Sequence, residues 1–428
     1  MKKFLLFLGF FCCSLSIFAI DFKDAAEQRF QALFNNVDSI SDNYSNVFWQ
    51  LAIAFHSMMD YYTSAKKDPS QVLEKAYQIF QSKTKSKEWW WDDYGWWGIF
   101  WNQFGQGNKQ YEEASEYCFL SINNAAPYAW DKASSQIQKE QEPLFEGGCF
   151  NANLVEAKTH DGLTGIQNTI TNALMLDLSL RLFLHSYQKY ISAPNIILEE
   201  KIKKYWNVAR RQESWFSCWF DQGLFNNKLN FVEERVSKYK NNAPALYYKP
   251  NRAWVGDQGV MLGALGNLIK SVELINSSGN PLKLNLSSIN VKRLKEIKNS
   301  LLLSVKKIFI KKDGSFGNLH IDEGDNFPFG DWSDYFNGTG IWFRFFNYSN
   351  YTDTEYQKII EASATASASG DIYVTDINSF LDVQNSLANI NAILSPSKRN
   401  ILKNAYALPE ISWESLLCCC FEEYDYSK

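Results

Sequence analysis

Apolar positions recur at helical spacing along most of this chain, and few stretches alternate as strands do. Phe48–Tyr62 carries Leu51, Phe55, Met58 and Met59, and Val72–Phe80 carries Leu73, Ala76, Tyr77 and Phe80. Helices are also expected over Tyr111–Ala126, Ile196–Phe220, Val291–Ile310, Thr354–Ala368 and Asp376–Leu394, with an aromatic helix opening at Trp342–Phe346. Thr169–Tyr190 has almost no polar face, which marks a helix buried in a large core. Over Gln258–Val272 the residues Gly259, Gly263 and Gly266 are spaced for close helix packing. Asp38–Asp42, Lys83–Lys87, Asn151–Gly165, Glu233–Asn251 and Pro281–Asn290 are polar interruptions. Asp313–Asp334, about 22 residues rich in Gly, Asp and aromatics, has the length of a functional or lid loop. The best strand is Asp371–Val374, and it is short.

That makes ten to twelve helices, often paired by short turns, with no proline-rich linker to divide them. The expected class is all-α, with helix pairs closing into an α/α toroid; two all-α domains are the alternative. No fixed repeat period points to a solenoid. Residues 1–19 read as a signal peptide: Lys2 and Lys3, an apolar run from Phe4 to Phe18, then Ala19. The chain is thus expected to be secreted or periplasmic, with residues 20–428 as one domain and 396–428 as a C-terminal extension. No other apolar run is long enough to span a bilayer.

Charge narrows the partners. Lys and Arg total 43 against 47 Asp and Glu, so no basic excess favours nucleic acid. Six cysteines follow the signal segment, namely Cys118, Cys149, Cys218 and the run Cys418–Cys420, without zinc-ligand spacing. The histidines His56, His160, His185 and His320 are scattered, and no phosphate or dinucleotide fingerprint occurs. No metal and no cofactor is expected. Oligomeric state and disulfide pairing are not legible.

The chemistry concentrates in Trp89-Trp90-Trp91-Asp92-Asp93-Tyr94-Gly95-Trp96-Trp97-Gly98-Ile99-Phe100-Trp101. Asp before an apolar helical run is a good cap, and the helix dipole favours acidic residues in a first turn. One cap needs one Asp, however, and this segment has two beside six Trp. Indole faces around two carboxylates are what a sugar subsite requires: flat apolar surface for the ring, acid and base at the bond to be cut.

This segment resembles the Asp-Asp block of glycoside hydrolase family 76, the bacterial and fungal endo-α-1,6-mannanases. Further resemblances follow in that family's order: Gly147-Gly148, Asn168-Thr169-Ile170-Thr171-Asn172-Ala173-Leu174 with Arg181-Leu182, Trp254-Val255-Gly256-Asp257-Gln258-Gly259, and Gly340-Ile341-Trp342-Phe343-Arg344. Tyr94 stands where the family usually has Glu, Asp257 where it usually has Asn, and Asn151 where an aromatic is common. The resemblance implies an (α/α)6 barrel and a retaining mechanism, with Asp92 as nucleophile and Asp93 as general acid/base. Adjacent residues suit retention, which needs carboxyl groups about 5–5.5 Å apart rather than the wider gap of inversion. Two close carboxylates also raise one pKa. The residues alone do not say which Asp takes which role.

Trp91, Tyr94 and Trp96 complete the candidate substrate site, with Asn168, Trp254, Asp257, Gln258 and Arg344. Each also has a structural reading. Asn168 and Asp257 stand where helix caps stand, and Arg344 sits among aromatics where a buried ion pair forms. Asp322, Glu323, Asp325, Asp331 and Asp334 fit no calcium-loop spacing. The expected function is a glycoside hydrolase acting on an α-linked mannan-type polysaccharide or glycan. The alternatives are a glycan-binding toroid without turnover, or another toroid enzyme such as an inverting hydrolase, lyase or epimerase.

Overall fold

The computed structural model describes residues 20–86, 89–125, 147–149, 151, 163–221, 231–232, 235–239, 247–248, 252–312, 314, 316, 320–322, 337–348 and 354–394. The signal segment, the C-terminal extension, His160, Glu323, Asp325, Asp331, Asp334 and Cys418–Cys420 lie outside them.

The helices are α1 (Phe22–Asn43), α2 (Phe48–Ala65), α3 (Ser70–Ser86), α4 (Trp91–Phe104), α5 (Lys109–Ala125) and α6 (Thr169–Ser192). They continue as α7 (Ile196–Asp221), α8 (Val255–Ser277), α9 (Val291–Phe309), α10 (Thr339–Tyr348), α11 (Thr354–Ala368) and α12 (Ile377–Leu394). The even-numbered helices pack in a closed ring, α2 on α4, α4 on α6, α6 on α8, α8 on α10, α10 on α12, and α12 back on α2. Most odd-numbered helices cover the inner helix before them from outside, α3 on α2, α5 on α4, α7 on α6 and α9 on α8, while α11 covers α12 and α1 lies on both α12 and α2. This is an all-α, (α/α)6 toroid. Among the described residues no helix is long and apolar enough to cross a membrane.

Two layers explain the composition. An inner helix touches two ring neighbours and an outer helix, so α2, α4, α6 and α8 are buried nearly all round. Glycine sets the approach: a Cβ on Gly95 would lie 2.8 Å from Leu174 Cβ, and one on Gly98 2.5 Å from Leu178 Cδ2. Gly259 meets the Trp342 backbone and Gly263 the Phe345 ring, whereas Gly266 faces only the end of Lys298. These pairs advance together along both helices, so α4 runs parallel to α6 and α8 parallel to α10. The starts of the inner helices therefore gather at one mouth.

Four expectations are corrected, the first being the Lys83–Lys87 interruption, because α3 runs on through Ser86. Asp38–Asp42 does not interrupt α1, because Leu33, Val37, Ile40 and Ser41 keep a buried stripe while Asp38, Ser39 and Asp42 face solvent. Asp371–Val374 is not a strand. Strands occur instead in segments expected to be loops. Antiparallel β1 (Leu163–Asn168), β2 (Arg235–Tyr239) and β3 (Tyr247–Tyr248) form one small sheet. A second sheet pairs β4 (Arg252–Trp254) with β5 (His320–Asp322), with Trp254 opposite His320. β1 runs directly into α6 and β4 directly into α8, so both sheets stand beside inner-helix starts.

Candidate active site

The first turn of α4 carries Asp92 and Asp93. The residue that precedes the helix, Trp90, makes no side-chain capping bond; the first-turn N–H groups of Asp92 and Asp93 serve the Asp92 carboxyl group instead. Asp93 is buried. Asp92 is half-buried, but its Oδ1 is fully enclosed and meets no donor among the described residues. Enclosure raises its pKa from 3.8 to about 6, against the backbone N–H groups of Asp92 and Asp93, which favour the charged form. A carboxyl group at this value can hold or release a proton near neutral pH.

Residues 147–149 and 151, between α5 and α6, build the wall beside Asp92. Asn151 O accepts from Trp91 N–H at 3.0 Å, tying the segment to the start of α4. Asn172 of α6 accepts from Cys149 N–H at 2.8 Å and donates to Cys149 O at 3.1 Å. Burial pushes the Cys149 thiol up to about 12; the Gln212 amide beside it opposes the shift and the Asp92 charge adds to it. These contacts bring the starts of α4 and α6 together around the acidic pair.

The remaining candidates divide by place. Asn168 caps α6, its Oδ1 accepting from Thr171 N–H at 3.1 Å. Gln258 is fully buried, and its amide is spent on the scaffold: Oε1 accepts from Val232 N–H at 2.8 Å, and Nε2 donates to Val232 O at 2.8 Å and to Trp254 O at 3.1 Å. Trp254 packs its ring over Gly256 and Gly338, and Asp257 is buried in the first turn of α8. Arg344 lies apart from the pair: its Nε donates to Asp60 at 3.0 Å and its Nη2 to Ser57 at 2.8 Å. Nearby His56 is neutral, because burial and the Arg344 charge hold it well below its ordinary range.

The indoles are mostly core. Trp91, Trp96, Trp97 and Trp101 are at most 2% exposed. Trp97 donates to Phe48 O at 2.9 Å and stacks on Trp101, which stacks in turn on Tyr111 of the outer layer. Tyr94 faces outward too, edge-on to Phe48 and Tyr117, with burial raising its pKa. Among the described residues the half-exposed indoles at this end are Trp90 and Trp49, neither of which the sequence reading chose. It also passed over Cys149, Asn151 and Gln212, whose only sequence signal is their place beside the double glycine or on a helix face. Asp322 of β5 pairs with Arg252 of β4, and no described group of three or more His, Cys, Asp or Glu could hold a metal ion. Cys118 and Cys149 are free thiols.

No family model matches the sequence, and no curated protein matches it. Solved structures do match. The GH76A alpha-1,6-mannanase from Salegentibacter sp. HEL1_6 superposes with a TM-score of 0.56 at 13% identity, covering 88% of this chain and all of that one. An inactive variant of that mannanase, altered at two consecutive aspartates and in complex with alpha-1,6-mannotetrose, matches with a TM-score of 0.55 at 14% identity over the same 88% and 100%. The glycoside hydrolase family 76 mannosidase Bt3792 from Bacteroides thetaiotaomicron matches with a TM-score of 0.54 at 12% identity, covering 89% of this chain and 99% of that one. At such identities the likeness is one of architecture: this chain has the all-α toroid found in structures of glycoside hydrolase family 76.

Proposed function

We propose that this protein is a retaining glycoside hydrolase that cleaves an α-1,6-mannan-type polysaccharide or glycan, with Asp92 as nucleophile and Asp93 as general acid/base. The observation that carries the reading is the adjacent acid pair in the first turn of α4, with Asp92 enclosed and raised to about 6. The fold supports it, as does the neighbour whose inactive variant is altered at two consecutive aspartates. Asp92, ionised, attacks the anomeric carbon while Asp93 gives its proton to the departing oxygen. Asp93 then takes a proton from water, which releases the sugar from Asp92 with its configuration retained. Trp90 and Trp49 offer ring faces to the sugars. The signal segment supports export, so the enzyme would act outside the cytoplasm.

The test is reducing-sugar release from α-1,6-mannan by wild type, Asp92→Asn and Asp93→Asn, with the first product's anomer read by NMR. The α-anomer from wild type, with each variant at least 100-fold slower, supports the reading. The β-anomer would replace retention by inversion. Silence of wild type on a panel of α-glycans would end the hydrolase reading. The pH profile assigns roles: a nucleophilic Asp92 makes kcat/KM rise as pH passes about 6, whereas an acidic Asp92 makes it fall there.

A further inference from the structure

The wall behind Asp92 is fixed by more contacts than a turn between helices needs. Beyond the paired hydrogen bonds from Asn172, Gln167 Nε2 donates to Gly148 O at 3.3 Å, and the Trp215 indole holds Gln167 Oε1 at 3.1 Å. Gly147 has φ of +96° and abuts the Arg211 carbonyl, and Gly148 lies against the Trp215 ring where a Cβ has no room. The two glycines let the chain lie directly on α7. That approach buries the Cys149 thiol beside the Gln212 amide, near enough to Asp92 for the carboxylate charge to oppose ionisation of the thiol, while, two residues on, Asn151 O holds Trp91 N–H at the start of α4. Gln212 is itself fully buried, and its Oε1 and Nε2 have no conventional hydrogen-bond partner among the described residues. Such an amide is costly unless its place beside the thiol serves a purpose.

We propose that Cys149 and Gln212 are positioning residues for the acidic pair: the thiol closes the wall that keeps water from Asp92 Oδ1, and Gln212 holds the thiol in place. The inference rests on Asp92 and Asp93 being the reacting carboxyl groups. A thiol suits the position because it is small, apolar in behaviour and a weak hydrogen-bond donor. It stays neutral beside the carboxylate. The groups that border it from α6 and α7, Asn172 and Gln212, are uncharged, and the charged group that acts on it is Asp92 of α4.

The experiment compares full-chain Cys149→Ala, Cys149→Ser and Gln212→Leu with wild type on α-1,6-mannan, together with thermal melts between pH 4 and 8. Cys149→Ala is expected to lower kcat about tenfold with KM nearly unchanged, since a loosened carboxyl group misses its alignment. It also moves the ionisation near pH 6 to lower pH, because water reaches the carboxylate. Gln212→Leu acts in the same direction and less, and Cys149→Ser restores most of kcat. Folded variants with wild-type kcat and an unmoved ionisation overturn the proposal. Should wild type turn over no glycan, the melts decide: Cys149→Ala must lose less stability than wild type between pH 4 and 6, and an equal loss overturns the pair by itself. Should Cys149→Ala not fold, Gln212→Leu is read in the same way.

Discussion

The starts of α4 and α6 lie side by side at one mouth, yet they use their polar residues in opposite ways. At α6 the cap is complete: Asn168 takes the Thr171 N–H, and Asn172 returns hydrogen bonds to Asn168 O and to both backbone groups of Cys149. At α4 the preceding residue gives no side-chain cap: Trp91 N–H goes to Asn151 O, the Asp92 and Asp93 N–H groups serve the Asp92 carboxyl group, and Asp92 Oδ1 is still enclosed without a hydrogen bond. One end is satisfied and therefore structural. The other keeps a carboxyl group in a costly state that the fold alone does not need. Polar residues at a helix start are thus sorted by whether their bonding capacity is already spent, and on that measure Asn168 and Gln258 join the scaffold.

The largest effect expected from this contrast is on turnover. Asp93→Asn keeps the shape of the side chain and removes its proton chemistry, so kcat on α-1,6-mannan should fall about a thousandfold, or 4 kcal/mol. A folded Asp93→Asn with near-normal turnover breaks the distinction, because both helix starts would then be structural.

Second in size is the Arg344 pair, which lies away from the mouth. Arg344→Met leaves the Asp60 carboxylate buried without its guanidinium and should cost about 3 kcal/mol of stability. Denaturant unfolding reads this directly. An unchanged midpoint would mean that Asp60 is solvated or held by other groups of α2, α10 and α12.

How far these roles could be read beforehand follows from what each depends on. Helix positions depend on local periodicity, so Thr354–Ala368 and most other spans were visible in the chain. The strands were not, because β1 and β2 pair residues more than sixty positions apart inside polar segments. The acid pair was visible through its own residue types and its resemblance to a family block. The indoles beside it misled: one helix face cannot bury so many, but an inner helix is enclosed on every side, and Trp97 finds its acceptor on α2. Cys149 and Gln212 carried no signal, since their meeting depends on two glycines lying flat on α7.

The acid pair also leaves a mark on stability. Asp92 has a folded-state pKa raised from 3.8 to about 6, so its neutral form is the one the fold prefers. Its contribution is fully present below about pH 4 and is lost as pH rises through about 6. Asp92→Asn removes that loss, so the variant should be more stable than wild type by up to about 3 kcal/mol at pH 8 and equal to it near pH 4. A variant less stable than wild type at pH 8 would show that the enclosed carboxylate has compensating partners.

The smallest effect belongs to the satisfied end. Asn168→Ala removes one side-chain acceptor from the first turn of α6 and should cost about 1 kcal/mol, the usual value of a cap. The loss should appear in the unfolding midpoint, with KM for mannan oligosaccharides unchanged, because Oδ1 is occupied by Thr171 N–H before any sugar arrives. Asn168→Asp sharpens the reading, since Asp caps as well as Asn and keeps the acceptor while losing the amide donors. If Asn168→Asp restores stability and leaves KM alone, the residue is a cap and nothing more. If stability returns while KM rises several-fold, the Nδ2 group reaches substrate, and the two helix starts form one binding surface rather than a scaffold beside a reactive end.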